Sequence, residues 1–242
     1  MGAVSYLNTK PLLYGIENSP VIQEIALVTE YPAKIADMLL NDQIDIGLVP
    51  VAIIPKMREF YINTRFCIGS NGPVASVCLF SELPLTEIDT VLLDYESRTS
   101  VALVKILLKK YWNLNPKYEP AGPDFIGRIK GRTAALVIGD RALQLRPVTR
   151  YIFDLGEAWK KMTGLPFVYA AWVSNKQLDK QWVDRFDQAN AYGLQNIQKV
   201  LEDSFSPVID LQSYYRDFLS YELDEDKKKG LALFLKMLAD KE

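Results

Sequence analysis

The chain has 242 residues, enough for one large domain or two small ones with a substantial core. Charged residues make up 24% and the formal net charge is −2, so no global basic field exists to attract nucleic acid or an anionic membrane, and any anion site must be local. Histidine is absent, which removes the commonest general base and metal ligand and excludes Ser-His-Asp chemistry and zinc catalysis.

Ala3 to Tyr6 has β character and runs into a polar turn and then a helix, with Thr9 expected as N-cap and Pro11 in the first helical turn. At the carboxyl end of an open α/β sheet, such a turn offers free backbone N–H groups and a positive helix end to an anion. Ser5, Asn8, Thr9 and Lys10 fall there; a capped helix start with surface polar residues is the alternative. A strand over 24–29, a helix from Pro32 with Ile35, Met38 and Leu39 at helical spacing, and an apolar strand over 44–50 complete a β-α-β-α-β pattern, which predicts a parallel sheet. No basic-plus-apolar leader precedes the first strand and no run approaches a membrane span, so a cytoplasmic protein without membrane insertion is expected.

Apolar runs over 64–70 and 74–80 flank the turn Asn71-Gly72-Pro73, and Ser76 is a polar residue within the second. A fresh strand over 90–94 leads through Tyr95-Glu96-Ser97 into an apolar helix from about Arg98 to Trp112. The hydroxyls of Ser97, Thr99 and Ser100, with Arg98 and the first-turn N–H groups, would converge on a carboxylate; a capped helix would need only one of them. Gly139-Asp140 ends the strand over 134–138 and is a further candidate, although such a pair often caps a helix. A short strand over 151–154, a helix over 155–162 and a strand over 167–173 follow. The rest reads as helical: a long stripe from Leu178 through Trp182 to Leu201, then 208–221 and 224–239. Cys67 and Cys78 sit in apolar runs without metal-ligand spacing and read, like Trp112 and the Trp182 stripe, as core, with reduced thiols.

The first α/β unit has too few helices to cover its sheet, so the helical ending is expected to return to it. This predicts an α/β chain of two lobes, 1–83 with 175–242 and an inserted 84–174, joined by two crossings that form a hinge. That is the two-lobed type II periplasmic-binding-protein-like fold, with its ligand in the cleft between lobes.

Val4-Ser5-Tyr6-Leu7-Asn8-Thr9-Lys10-Pro11-Leu12 resembles the opening signature of the chorismate dehydratases of menaquinone biosynthesis, the first enzymes of the futalosine route. Gly47 to Val51, Val74 to Val77, Leu93-Asp94 with Ser97 to Val101, Gly139-Asp140, Asp154 to Trp159 and Thr163 to Val168 resemble that family's blocks in order. The resemblance implies dehydration of chorismate to 3-[(1-carboxyvinyl)oxy]benzoate without metal or organic cofactor. It makes Asn8 and Ser76 the expected catalytic residues, acting by orientation and charge stabilisation. Ser5, Tyr6, Ser97, Arg98, Thr99, Ser100, Gly139 and Asp140 are the expected substrate-binding residues. The base is left open between Asp140, Asp94, Glu96, Asp154 and the substrate's own enolpyruvyl carboxylate, the last being preferred. A solute-binding protein of the same fold, a regulator's ligand-sensing domain and a later enzyme of the pathway are the rival readings; the first needs an export signal and the second a basic DNA-binding segment, and neither is seen.

Overall fold

The computed structural model describes residues 1–240. In chain order its elements are β1 (Gly2–Val4), α1 (Lys10–Glu17), β2 (Val28–Glu30), α2 (Pro32–Leu40), β3 (Ile46–Pro50), β4 (Tyr61–Ser70), β5 (Val77–Ser81), β6 (Thr90–Leu93) and α3 (Thr99–Lys110). Then come β7 (Lys117–Pro120), β8 (Thr133–Ile138), α4 (Gly139–Leu145), β9 (Tyr151–Asp154), α5 (Leu155–Thr163), β10 (Phe167–Ser174), α6 (Lys180–Gln195) and α7 (Ile197–Glu202). A short α8 (Leu211–Ser213) runs into a π-helical turn (Tyr214–Phe218), followed by β11 (Ser220–Glu222) and α9 (Glu225–Ala239). No helix among the described residues is long and apolar enough to cross a membrane.

Two sheets divide these strands: one in the order β11-β4-β10-β3-β1-β2, the other β7-β6-β8-β5-β9. As the opening pattern predicts, β1 pairs in parallel with β2 and β3. The helical ending does return to the first sheet. Gly15 of α1 and Gly193 of α6 are small because the helices touch there: a Cβ on Gly193 would lie 1.8 Å from the Pro11 carbonyl oxygen. Trp172 of β10 meets Phe186 of α6 edge-on at 5.0 Å and donates its indole N–H to Asn190 at 3.1 Å, so α6 is pinned to the strand beneath it.

The crossings fall elsewhere than at 83/84 and 174/175. β5 belongs to the second sheet, between β8 and β9, and β10 belongs to the first, antiparallel between β3 and β4. The chain therefore changes sheet over 71–76 and returns over 164–166. Both strands are buried on both faces, and uniform apolarity cannot tell which sheet a strand joins. The long stripe breaks at Asn196 into α6 and α7, and the helix expected over 208–221 is instead α8, the π-helical turn and an edge strand.

One carboxylate ties the outgoing crossing to the start of α5. Asp154 accepts N–H bonds from Gly156 and Glu157, capping α5, at 2.9 and 3.1 Å. It also accepts from Val74 and Ala75 in the outgoing crossing, at 3.0 and 2.8 Å. Burial pushes this carboxyl up, against the pull of those N–H donors and of Arg146. Asp154→Asn would turn an NH₂ group toward backbone donors, and we expect urea unfolding to show a loss of about 2 kcal/mol or more; an unchanged midpoint would remove Asp154 from this role.

Candidate active site between the lobes

The carboxyl ends of β1 and β3, with parts of β4 and β10, form the first-lobe wall of a small cavity, lined there by Val4, Leu48, Pro50, Ile68, Tyr169 and Ala170. The polar lining comes from three loop-to-helix junctions and a crossing: Asn8 and Thr9; Ser97, Thr99 and Ser100; Gly139; and Ser76. Of the expected residues, Tyr6, Asn8, Ser76, Ser97, Thr99, Ser100 and Gly139 meet here.

Ser5, Arg98 and Asp140 do not line the cavity. Strand alternation points Ser5 away from a wall that its neighbours Val4 and Tyr6 face, and its side chain is exposed. Arg98 is drawn into an ion pair with Asp37 of α2. Asp140 lies behind the opening turn, accepting the Leu7 N–H at 3.1 Å; burial pushes its carboxyl up against that bond and the nearby Lys10.

Local chemistry fixes how the remaining groups point. Thr9 does not cap α1; its hydroxyl donates to the Asn8 amide oxygen at 3.0 Å, which leaves the Asn8 NH₂ as the free end. Ser97 is the side-chain cap of α3, accepting the Ser100 N–H at 3.1 Å, and Thr99 Oγ1 accepts the Ala52 N–H from the first lobe at 3.2 Å. Ser76 follows Ala75, held at a φ of +63°, and its carbonyl accepts the Gly139 N–H at 2.8 Å. The expected anion cluster is thus partly structural: two of its three hydroxyls serve the protein.

The lobes are closed on one another. The Tyr6 hydroxyl donates to Glu96, the Ala33 N–H donates to the Glu96 carbonyl at 3.0 Å, and Gly139 lies against the Tyr6 ring. Arg141 bridges Glu96 at 2.8 Å and Asp94 at 3.0 Å, while Asp94 also accepts the N–H groups of Glu96 and Ile138. Burial pushes Asp94 up, with Arg141 and those N–H groups opposing it, and burial together with Glu96 pushes the Tyr6 hydroxyl well above its usual value. All four carboxylates considered as bases therefore have partners in the framework, and among the described residues no charged side chain lines the cavity. Such a chamber can bind and orient an anion with neutral donors and helix ends, but it offers no ionised acid to a bound ligand.

Sequence reading missed three tyrosines. Tyr169 lines the cavity, Tyr221 donates to the Asn8 carbonyl at 2.9 Å, and Tyr214 donates to Ser76 Oγ at 2.8 Å. The last two contacts span 213 and 138 residues, and no local pattern marks them.

Gly139 has a φ of +65°, and a Cβ there would stand 2.8 Å from the Tyr6 ring. Gly139→Ala should therefore lower stability by more than about 1 kcal/mol through backbone strain and loss of the lobe contact; a urea midpoint equal to that of the parent chain would show that the junction relaxes freely.

The menaquinone biosynthesis family matches residues 1–240. The chorismate dehydratase of Thermus thermophilus is 29% identical, over 98% of this chain and 94% of that protein; the chorismate dehydratase of Campylobacter jejuni is 28% identical, over 97% and 95%. Among solved structures, a protein from Archaeoglobus fulgidus superposes with a TM-score of 0.76 at 14% identity, covering 99% of this chain and 96% of its own. A Candida albicans protein described as having the generic periplasmic-binding-protein fold gives 0.63 at 10% identity, covering 99% and 89%. The α/β architecture is thus the two-lobed periplasmic-binding-protein-like fold.

Proposed function

The chain belongs to the menaquinone biosynthesis family, and on that premise we propose that it is a chorismate dehydratase, a carbon–oxygen lyase converting chorismate to 3-[(1-carboxyvinyl)oxy]benzoate and water. The observation that carries the mechanism is the interlobe cavity with hydroxyl, amide and backbone donors and no charged side chain in its lining. A dicarboxylate suits neutral donors and helix ends, whereas an acidic chamber would repel it. The reaction requires a proton to leave the ring carbon that bears the enolpyruvyl ether and the neighbouring hydroxyl to depart. Aromatisation supplies the driving force.

With the protein's nearby acids engaged in the framework, the substrate's enolpyruvyl carboxylate is the base. It takes the ring proton as the C–H bond breaks. The C–O bond to the hydroxyl then breaks, the departing oxygen takes the proton that the enolpyruvyl carboxyl group has received, and water leaves while the ring becomes aromatic and the carboxylate is regenerated. Asn8 orients the substrate through its free NH₂ end, and Ser76 donates to charge that develops in the transition state. Tyr6, Thr99, Ser100 and Gly139 shape the binding walls. This is the entry step of the futalosine route, carried out in the cytoplasm, and the two free, buried cysteines fit a reducing compartment.

Incubation with chorismate should produce the ultraviolet spectrum of the aromatic product without added cofactor, and an unchanged spectrum would sink the assignment. Asn8→Ala and Ser76→Ala should each lower kcat by about 10²-fold with the fold intact. Asp94→Asn, Glu96→Gln and Asp140→Asn should keep turning over in single-turnover assays, and an amide variant that binds chorismate but is dead would replace the substrate's carboxylate with a protein base.

The pH dependence separates the same two schemes. A protein base must be ionised, so one whose pKa burial has raised would make kcat fall as pH falls through that value. The substrate's own carboxylate is ionised throughout, and kcat should be flat from about pH 6 to 9.

A further inference from the structure

From the hydroxyl contact between Tyr214 and Ser76, we infer that Tyr214 is a positioning residue for the dehydration, holding the Ser76 hydroxyl as a donor aimed into the cavity. The inference rests on the dehydratase reading. Both side chains are fully buried, and Tyr214 does not line the cavity, so it acts through Ser76 and not on the substrate.

The argument is a count of protons. A serine hydroxyl has one proton to give and two lone pairs with which to accept. Tyr214 donates to Ser76 Oγ at 2.8 Å, so one lone pair is filled by the phenol. Among the described residues, the serine proton then has a single protein acceptor within reach, the Val74 carbonyl at 3.5 Å, which is at the outer limit of a hydrogen bond. A substrate oxygen in the cavity competes easily with that contact. Without the phenol proton, nothing would hold the serine oxygen from that side, and its hydroxyl could settle on the Val74 carbonyl instead.

Both partners are rigid. The Ser76 backbone is bonded on either side: its N–H donates to Val74 at 2.7 Å, and its carbonyl accepts the Gly139 N–H at 2.8 Å. Tyr214 opens the π-helical turn, which Asp210 anchors by accepting the Ser213 N–H in its carboxylate at 2.9 Å and the Tyr214 N–H in its carbonyl, also at 2.9 Å. A one-turn π-helix shifts side chains out of α-helical register and recurs at functional sites. Burial holds the Tyr214 phenol well above its usual range, which keeps it a donor at every working pH.

The test is a double-mutant cycle on kcat using the full chain and chorismate. Tyr214→Phe keeps the ring and removes only the hydroxyl. We expect kcat to fall about tenfold, KM to stay within about twofold, and no further loss of kcat when Tyr214→Phe is added to Ser76→Ala. Tyr215→Phe is the control, because the adjacent Tyr215 hydroxyl is buried without a hydrogen-bond partner among the described residues, and it should leave kcat unchanged. An unchanged kcat in Tyr214→Phe, an equal further loss in the Ser76→Ala background, or a Tyr214→Phe chain that cannot fold would each overturn the inference while leaving the dehydratase reading standing. A parent chain that does not convert chorismate would overturn both.

Discussion

The carboxylate of Asp154 is the point on which the two lobes depend. It joins the start of α5 to the outgoing crossing that carries Val74 and Ala75, so that passage of the chain is held to the second lobe by one group. Ala75 sits in a left-handed conformation that a β-carbon disfavours, and the bond from its N–H to Asp154 helps to hold it there. Ser76 owes its place in the cavity to that strained neighbour.

Charge is kept at the rim and behind the walls. Arg141 neutralises Asp94 and Glu96 together, Asp140 is turned back onto the Leu7 N–H, and Arg98 is spent on Asp37. The consequence is a cavity whose polarity comes from hydroxyls, an amide and peptide groups. In a chamber shielded from water such neutral dipoles act strongly on an anion without demanding a buried countercharge of their own. The C-terminal segment adds the bracing, since Tyr221 steadies the Asn8 carbonyl and Tyr214 the Ser76 hydroxyl. The helical ending therefore supports the site as well as covering the first sheet.

Much of the site's chemistry was legible from junctions. Asn8, Ser97, Thr99, Ser100 and Gly139 each stand where a strand passes into a helix or turn, and that position alone brings them to the carboxyl edges of the sheets. Ser5 and Arg98 occupy the same junctions and face elsewhere, because a one-residue step reverses a strand's side chains and a long cation follows the nearest carboxylate. Ser97 shows the limit of reading hydroxyls as ligand groups, since its oxygen is taken up by the helix it begins.

By itself the sequence determined the alternation of strands and helices in each α/β unit, the parallel start of the first sheet, the return of the helical ending and the family, because these rest on local periodicity, turn chemistry and quoted motifs. Only the tertiary structure decided which sheet β5 and β10 join, where α6 stops, and which acids are spent on the framework. Strands buried on both faces carry the same apolar code in either sheet, and the partner of a carboxylate is set by residues far away in the chain, as Arg141 is from Asp94 and Ala75 from Asp154. The contact of Tyr214 with Ser76 is of the same kind: 138 residues separate its ends, and only the folded chain brings them to hydrogen-bond distance.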